Sequence, residues 1–355
     1  MRSGGETPEI SKITMRLNAT RTKLQNAGGF GDQVYGQSYF YNYLSEVGAI
    51  HVGAYGRGVE FTLKTAGQGG AKWMSRFEKY NTSGHPEMKA ASFMPRKLGT
   101  AARVDIDSIE ENDSDSRVFD IAAAAYQDAL AEVEDKFEDG LHNLGTDPKA
   151  MLGIRALIAD DPTANPVAYN AGGLSRIAGA DVFWRNQFKD VSVLDAGAIA
   201  TRLKPEVRAM FSLCVRNTPK GKSKENPTKR TKRWPDLVVA QWDLWDGWEG
   251  MLDSNDRHER SDKTASTMFP NFVIKGVVPV FPDDHTNMGT AAAGRVYFIN
   301  TSHFGLYVEK KANFAMGKWI ETADQDVNIS KVKTRAVLAY DVAKCHGVCF
   351  GFKTA

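Results

Sequence analysis

The chain has 355 residues, of which 42% are hydrophobic and 25% charged, with a formal net charge of +2. That composition excludes a disordered chain, a collagen-like repeat and a disulfide scaffold, and leaves room for two compact units. A charge so near zero also excludes nucleic acid as the partner of the whole surface, because the basic surplus sits in one segment. Residues 218–233 hold Lys220, Lys222, Lys224, Lys229, Arg230, Lys232 and Arg233 against Glu225 alone. Three cysteines, Cys214, Cys345 and Cys349, are an odd number in a long chain and point to reduced thiols inside a cell. No signal-peptide apolar core is legible in the first thirty residues, and no segment is apolar enough to span a membrane, so a soluble cytoplasmic product is expected.

From Met1 to about Gly31, spaced bases (Lys12, Arg16, Arg21, Lys23) precede Gly28-Gly29-Phe30-Gly31. This reads as an arm rather than core, with a short helix around Ile10–Leu24. Tyr39–Val47 predicts a second short helix. Between Gly53 and Asp107 short strand-like runs dominate: Val59–Thr65, Lys72–Tyr80, Ser92–Met94 and Ala101–Ile109, punctuated by Gly67, Gly69, Gly70 and Ser83-Gly84-His85-Pro86. The stretch is poor in Leu, Ile and Val and carries single aromatics, so it is expected to fold on a neighbouring domain or chain.

Asp113-Ser114-Asp115-Ser116 then caps a long helix. Its apolar positions Val118, Ile121, Ala122, Ala125, Tyr126, Ala129, Leu130, Val133, Phe137 and Leu141 keep helical spacing as far as Gly140 or Gly145. Such a rod is about 40 Å long and serves as a spine for a sheet. Further on, a helix is predicted at Pro205–Asn217, a buried strand at Pro235–Ala240 and a short helix marked by Trp242, Trp245, Trp248 and Leu252. Two strands follow at Phe272–Ile274 and Val277–Phe281, then a hairpin from Arg295–Asn300 and Gly305–Glu309, then closing strands Val332–Ala339 and Gly347–Phe352.

No catalytic constellation emerges. Gly221-Lys222-Ser223 ends like a phosphate loop, but the glycine required five positions earlier is Arg216. Cys345-His346-Gly347-Val348-Cys349 has three zinc-type donors and no fourth, and reads as core, with both cysteines on one face of a strand. Asp283-Asp284-His285 would serve a metal or acid–base site, yet its Pro282 and Thr286-Asn287 flanks favour a turn. In Trp184-Arg185-Asn186 the arginine is expected to tie a loop to carboxylates or carbonyls. The lysine loop attracts phosphate but has no aromatic before Trp234 for base stacking, so a solvated loop is the preferred reading. No cofactor and no metal are implied.

The order of arm, glycine-punctuated hairpin, spine helix, mixed domain and returning strands resembles the major capsid proteins of tailed bacteriophages, the Hong Kong 97-type fold. Local patterns resemble it too: Gly145-Thr146-Asp147 leading to Gly153-Ile154-Arg155-Ala156-Leu157-Ile158, and Gly173-Leu174-Ser175-Arg176 followed by Phe183-Trp184-Arg185-Asn186-Gln187. So do Pro235–Val239 and the run Phe272–Val280 with its acidic turn and Val296-Tyr297-Phe298-Ile299-Asn300. The resemblance implies an α+β fold with an N-terminal arm (residues 1–52), an extended E-loop (53–110), the spine helix of a peripheral domain (111–149) and an axial domain (150–290). Peripheral strands and loop (291–330) and C-terminal strands returning to the axial domain (331–355) would complete it.

It also implies a non-enzymatic protein of the virion, assembled in the bacterial cytoplasm from homo-pentamers and homo-hexamers around double-stranded DNA, with scaffolding, portal and decoration proteins as further partners and no membrane. Trp73, Phe77, Tyr80, Phe93 and Met94 would then be inter-subunit anchors. Crosslinking through Lys64, Lys72, Lys79, Lys89 or Lys97 is not expected. The alternatives are an encapsulin-like nanocompartment shell, a nucleic-acid-binding protein using residues 220–233, and a hydrolase using Asp283, Asp284 and His285.

Overall fold

The computed structural model describes residue 17 and residues 39–64, 73–76, 79, 88–111, 115–164, 168–177, 181–194, 199–218, 234–250, 272–274, 278–283, 294–322 and 325–353. Among the described residues the α-helices of more than one residue are α1 (Tyr39–Glu46), α2 (Ile106–Glu110), α3 (Asp115–Leu141), α4 (Ile154–Leu157), α5 (Ile199–Asn217) and α6 (Trp242–Gly250). The strands up to the spine are β1 (Ile50–Gly53), β2 (Val59–Lys64), β3 (Met88–Phe93) and β4 (Arg96–Asp105). Then come β5 (Gln187–Asp190), β6 (Leu237–Gln241), β7 (Phe272–Ile274), β8 (Val278–Asp283) and β9 (Gly294–Ile299). The last are β10 (Phe304–Glu309), β11 (Ala315–Met316), β12 (Ile320–Thr322), β13 (Gln325–Tyr340) and β14 (Gly347–Phe352).

Among the described residues two six-stranded sheets carry the fold. The first is organised on the 16-residue β13, which pairs with β10, β11, β12 and β4, while β1 extends it beyond β10. One face packs on α3: Ala102, Val104 and Val332 from the sheet meet Tyr126, Ala129, Leu130 and Val133 from the helix. Alternation along β13 places Asn328, Ser330, Val332 and Thr334 on this buried face and Lys331 and Lys333 on the other. Tyr126 keeps its hydroxyl satisfied in this apolar layer by a 2.8 Å hydrogen bond with Ser330. Leu17 is helical and fully buried in the same cluster, so this part of the expected arm packs as core, a position an isolated leucine among bases does not reveal.

The second sheet runs β5-β14-β9-β6-β8-β7, with α5 and α6 packed on it through Leu203, Val207, Met210, Phe211, Leu244 and Trp245. The hairpin expected from Arg295–Asn300 and Gly305–Glu309 is not formed: β9 pairs with β14 and β6, and β10 with β1 and β13, in the other sheet. Every position of β9 is buried, as in a central strand flanked on both sides, and a two-stranded hairpin would leave it exposed. Gly294–Ile299, expected with the peripheral strands of 291–330, therefore sits among strands from 187–283 and 347–352. Conversely β13, expected in part to return to the axial unit, belongs wholly to the first sheet; only β14 returns.

Other boundaries moved. α5 begins at Ile199 and contains Pro205, expected to start it. β4 begins at Arg96 and ends at Asp105, where α2 takes over part of the expected strand 101–109. Residues 73–76, expected within a strand, have no regular structure.

Candidate assembly surface and the junction behind it

The hairpin β2/β3 is a six-rung ladder from Val59↔Phe93 to Lys64↔Met88. Its root is anchored in its own subunit: Val59, Leu63, Ala91 and Phe93 belong to the main core cluster. Gly172, at φ +65°, makes the close approach possible; a Cβ there would stand 2.9 Å from the Phe93 ring and 3.2 Å from Ala91. Phe93 also meets Tyr340, Phe61 and Trp184 at ring-centroid distances of 5.6, 6.2 and 6.5 Å. Phe93, expected to be an inter-subunit anchor, is thus only 2% exposed and is a core residue of its own chain. The alternation of β3 explains the correction: Ala91 and Phe93 face inward, and the ladder that fixes this register is formed with a strand some thirty residues earlier.

Other predicted anchors behave differently. Trp73 is fully exposed and Met94 is 63% exposed; Met88, which was not among the expected anchors, is 64% exposed. Phe77 and Tyr80 lie outside the described residues, as do Lys220, Lys222, Lys224, Lys229, Arg230, Lys232 and Arg233. Lys89 pairs with Asp181, and Lys79 and Lys97 are exposed.

Behind the hairpin, buried polar side chains join the two sheets. His142, one residue past α3, and Asp283, the last residue of β8, are both fully buried and meet at 2.9 Å, Nε2 to Oδ2. Asp283 was expected to serve a turn; its burial and this partner correct that reading, while Asp284 and His285 lie outside the described residues. Burial by itself lowers the His142 pKa, but the Asp283 hydrogen bond and charge outweigh it and hold the imidazole above its usual value. Alongside, Tyr43 stacks on Phe281 at 4.2 Å and donates to the Pro282 carbonyl. α1 and α3 are thereby fastened to β8.

Two strand crossovers lie nearby, where the chain passes between sheets. At 300–303, Thr301 binds the Asp236 carboxylate through both its backbone N–H and its hydroxyl. His303 meets Asp341 of the 341–346 crossover at 2.8 Å, and the Asn300 N–H donates to His346 Nδ1. Burial, helped by His303, pushes His346 down to about 3, so it is neutral and can accept that hydrogen bond. Arg176 is fully buried and donates to the Ala156 and Leu157 carbonyls, which end α4, and to the Tyr340 hydroxyl. These residues carry little signal in the sequence, because each partner is remote in the chain.

Trp184-Arg185-Asn186 is such a tie, as expected: the three donate to the carbonyls of Ala171, Arg176 and Ala159 at 2.7, 2.5 and 2.9 Å. Cys349 lies in β14 against α5, whereas Cys345 lies in the turn before the strand, not on the same strand face. Cys214, Cys345 and Cys349 are all buried, and burial raises all three thiols. Among the described residues no group of three or more His, Cys, Asp or Glu could hold a metal ion. Among them, too, no helix is long and apolar enough to cross a membrane.

No protein-family model matches the sequence, nor does any curated protein. Solved structures do resemble the fold. The chain is similar to a subunit of the cyanophage A-1(L) capsid asymmetric unit, with a TM-score of 0.60 at 14% identity over 86% of this chain and 90% of that one. It is also similar to a chain of Mycobacterium phage Bobi, with a TM-score of 0.51 at 10% identity over 85% and 88%. At these identities the likeness is one of fold: the chain has the α+β capsid fold of the Hong Kong 97 type.

Proposed function

We propose that this chain is the major capsid protein of a tailed bacteriophage, which assembles as pentamers and hexamers into an icosahedral head around double-stranded DNA. The observation that carries this reading is the likeness, across some nine-tenths of the partner chain, to a subunit of a cyanophage capsid. The protein acts as a structural component of the virion and not as an enzyme; Asp283, the one described member of the suspected acid–base cluster, is sealed against His142.

In this reading residues 53–110 form the E-loop, whose root is fixed by Phe93 and whose outer part reaches a neighbouring subunit. Trp73 and Met94 are its described anchors. A fully exposed tryptophan is costly to keep in water and gives a disproportionate return when a partner desolvates it. α3 with the β13 sheet forms the peripheral unit, and the β5–β9/β14 sheet with α5 and α6 the axial one. The buried ties between the sheets hold these units in a fixed relation, so that contacts repeated by rotation close a shell. Outside the basic loop the chain is mildly acidic, which suits a container that must hold DNA without gripping it.

Expression of the chain alone, followed by light scattering and negative-stain electron microscopy, tests the proposal. Rings, sheets or closed shells of megadalton mass are expected. A monodisperse 39.1 kDa particle at all concentrations, with or without coexpressed phage scaffold, would refute it.

A further inference from the structure

Toward the Tyr340 end of β13 both faces of the first sheet are buried, with Val337 and Ala339 in the main core cluster, whereas along β4 the sheet is covered, among the described residues, by α3 on one face only. On the other, the register of β4 against β13 places Lys97 opposite Arg335, Gly99 opposite Lys333, Ala101 opposite Lys331 and Arg103 opposite Ile329. Residues directly opposite share a face, so five cations stand on one strip, with Asp105 at its far end as the acid these two strands place on that face, Asp326 falling on the other by alternation. Arg335 is held by the Gly56 and Pro95 carbonyls. Lys97, Arg103, Lys331 and Lys333 are exposed and form no ion pair among the described residues. A like-charge cross-strand pair such as Lys97–Arg335 is destabilising in an isolated sheet. Rungs of this strip repeat at about 7 Å, two residues of an extended strand.

The same body carries the complementary charge. α3 holds eight acids against Arg117 and Lys136. Asp128, Glu132, Asp135 and Asp139 are exposed at 4-3-4 spacing, which sets them on one stripe of the helix at intervals of about 4.5–6 Å. Glu132 also accepts from Thr100, and Asp139 pairs with Lys136. Ala124 and Ala131 are exposed along this stripe, as Gly99 and Ala101 are the small residues of the basic strip. Both surfaces are therefore low enough for a helix to approach a sheet closely. Toward β12 the strip continues into Ile329 and Ile320, the latter 61% exposed, an apolar extension for which a phosphate backbone offers no counterpart.

We propose that the open face of the β4/β13 sheet is a docking surface for a second copy of this chain, whose α3 carboxylate stripe lies along Lys97, Arg103, Lys331 and Lys333. The contact is heterologous, basic face to acidic stripe, and so leaves each subunit with one of each to offer. It rests on the assembly reading and names the pair of surfaces that selects and orients neighbours. Its strength falls with salt, since the charges are exposed.

The test uses two charge reversals in the full chain: Lys331→Glu with Lys333→Glu, and Asp128→Lys with Asp135→Lys. All four side chains are exposed, so circular dichroism and melting should match wild type. Sedimentation velocity is run at about 0.05 and 0.5 M salt, conditions that change the screening length several-fold. Each variant alone should need at least a tenfold higher concentration to assemble than wild type. Mixed in equal amounts they should assemble at the wild-type concentration, because a reversed face then meets a reversed stripe. Assembly of either variant alone at the wild-type concentration, or no rescue on mixing, overturns the proposal. So does a face-reversed variant that assembles normally but loses retention of a DNA duplex, which would make the strip a nucleic-acid surface. Failure of wild type itself to assemble would instead count against the capsid reading.

Discussion

Removing Asp283 probes how firmly the two sheets are fastened. In Asp283→Ala the His142 imidazole loses its buried partner, while Glu138 still offers its carbonyl to Nδ1 at 3.1 Å. Breaking a buried pair by deleting one partner costs about 3–5 kcal/mol. At about 2.1 cal/mol/K per residue, a chain of this length unfolds with an entropy near 0.75 kcal/mol/K, so the melting temperature should fall by about 4–7 °C. The effect has a pH signature. Because the folded pKa of His142 is raised, its contribution is complete below the ordinary histidine value of 6.5 and is lost as pH rises through the raised value. The difference in melting temperature between wild type and Asp283→Ala should thus be larger at acid than at alkaline pH. Differential scanning calorimetry on wild type, Asp283→Ala, His142→Gln and the double variant gives both the loss and the coupling. Additive single losses, or a shift for Asp283→Ala of under about 1 °C, would show that the 2.9 Å contact does not join the sheets energetically.

Three further outcomes are expected. Phe93→Ala should destabilise the isolated subunit by about 3–5 kcal/mol, whereas Trp73→Ala should leave its melting unchanged and raise the concentration needed for assembly at least tenfold; the reverse pattern would exchange their roles. Gly172→Ala must both adopt φ +65° and displace the Phe93 ring, so it should cost more than about 1 kcal/mol in denaturant titration, and a neutral result would mean the hairpin root is loosely seated. His346 is buried neutral with its pKa lowered to about 3, so the unfolded chain binds a proton that the native one refuses. Stability should fall as pH drops from 6.5 toward 3, and His346→Asn should flatten that part of a melting-versus-pH curve.

What the sequence determined by itself was whatever is local and periodic. The helical spacing from Ile121 to Leu141 fixed the spine helix and its buried stripe, and the apolar runs at Leu237–Ala240 and Gly347–Phe352 fixed two central strands. The order of these elements carried the fold. Tertiary structure alone decided which runs became neighbours. Val296–Ile299 and Phe304–Val308 are adjacent in sequence and look like a hairpin, yet a fully buried β9 and a largely buried β10 need partners on both sides, and those came from β6, β14, β1 and β13, on either side in the chain. The same reason hid the candidate site. Phe93 reads like Trp73, an aromatic in a weakly apolar loop, until β2 sets its register and Gly172 opens space beneath it. Asp283 reads as a turn acid until His142, 141 residues away, arrives against it. Likewise the basic strip exists only because the β4/β13 register stacks Lys97 and Arg103 beside Lys331, Lys333 and Arg335, residues more than two hundred positions apart. A periodic pattern is written in neighbouring residues, whereas a charge pair or a shared face is written in the register between distant strands, which only folding sets.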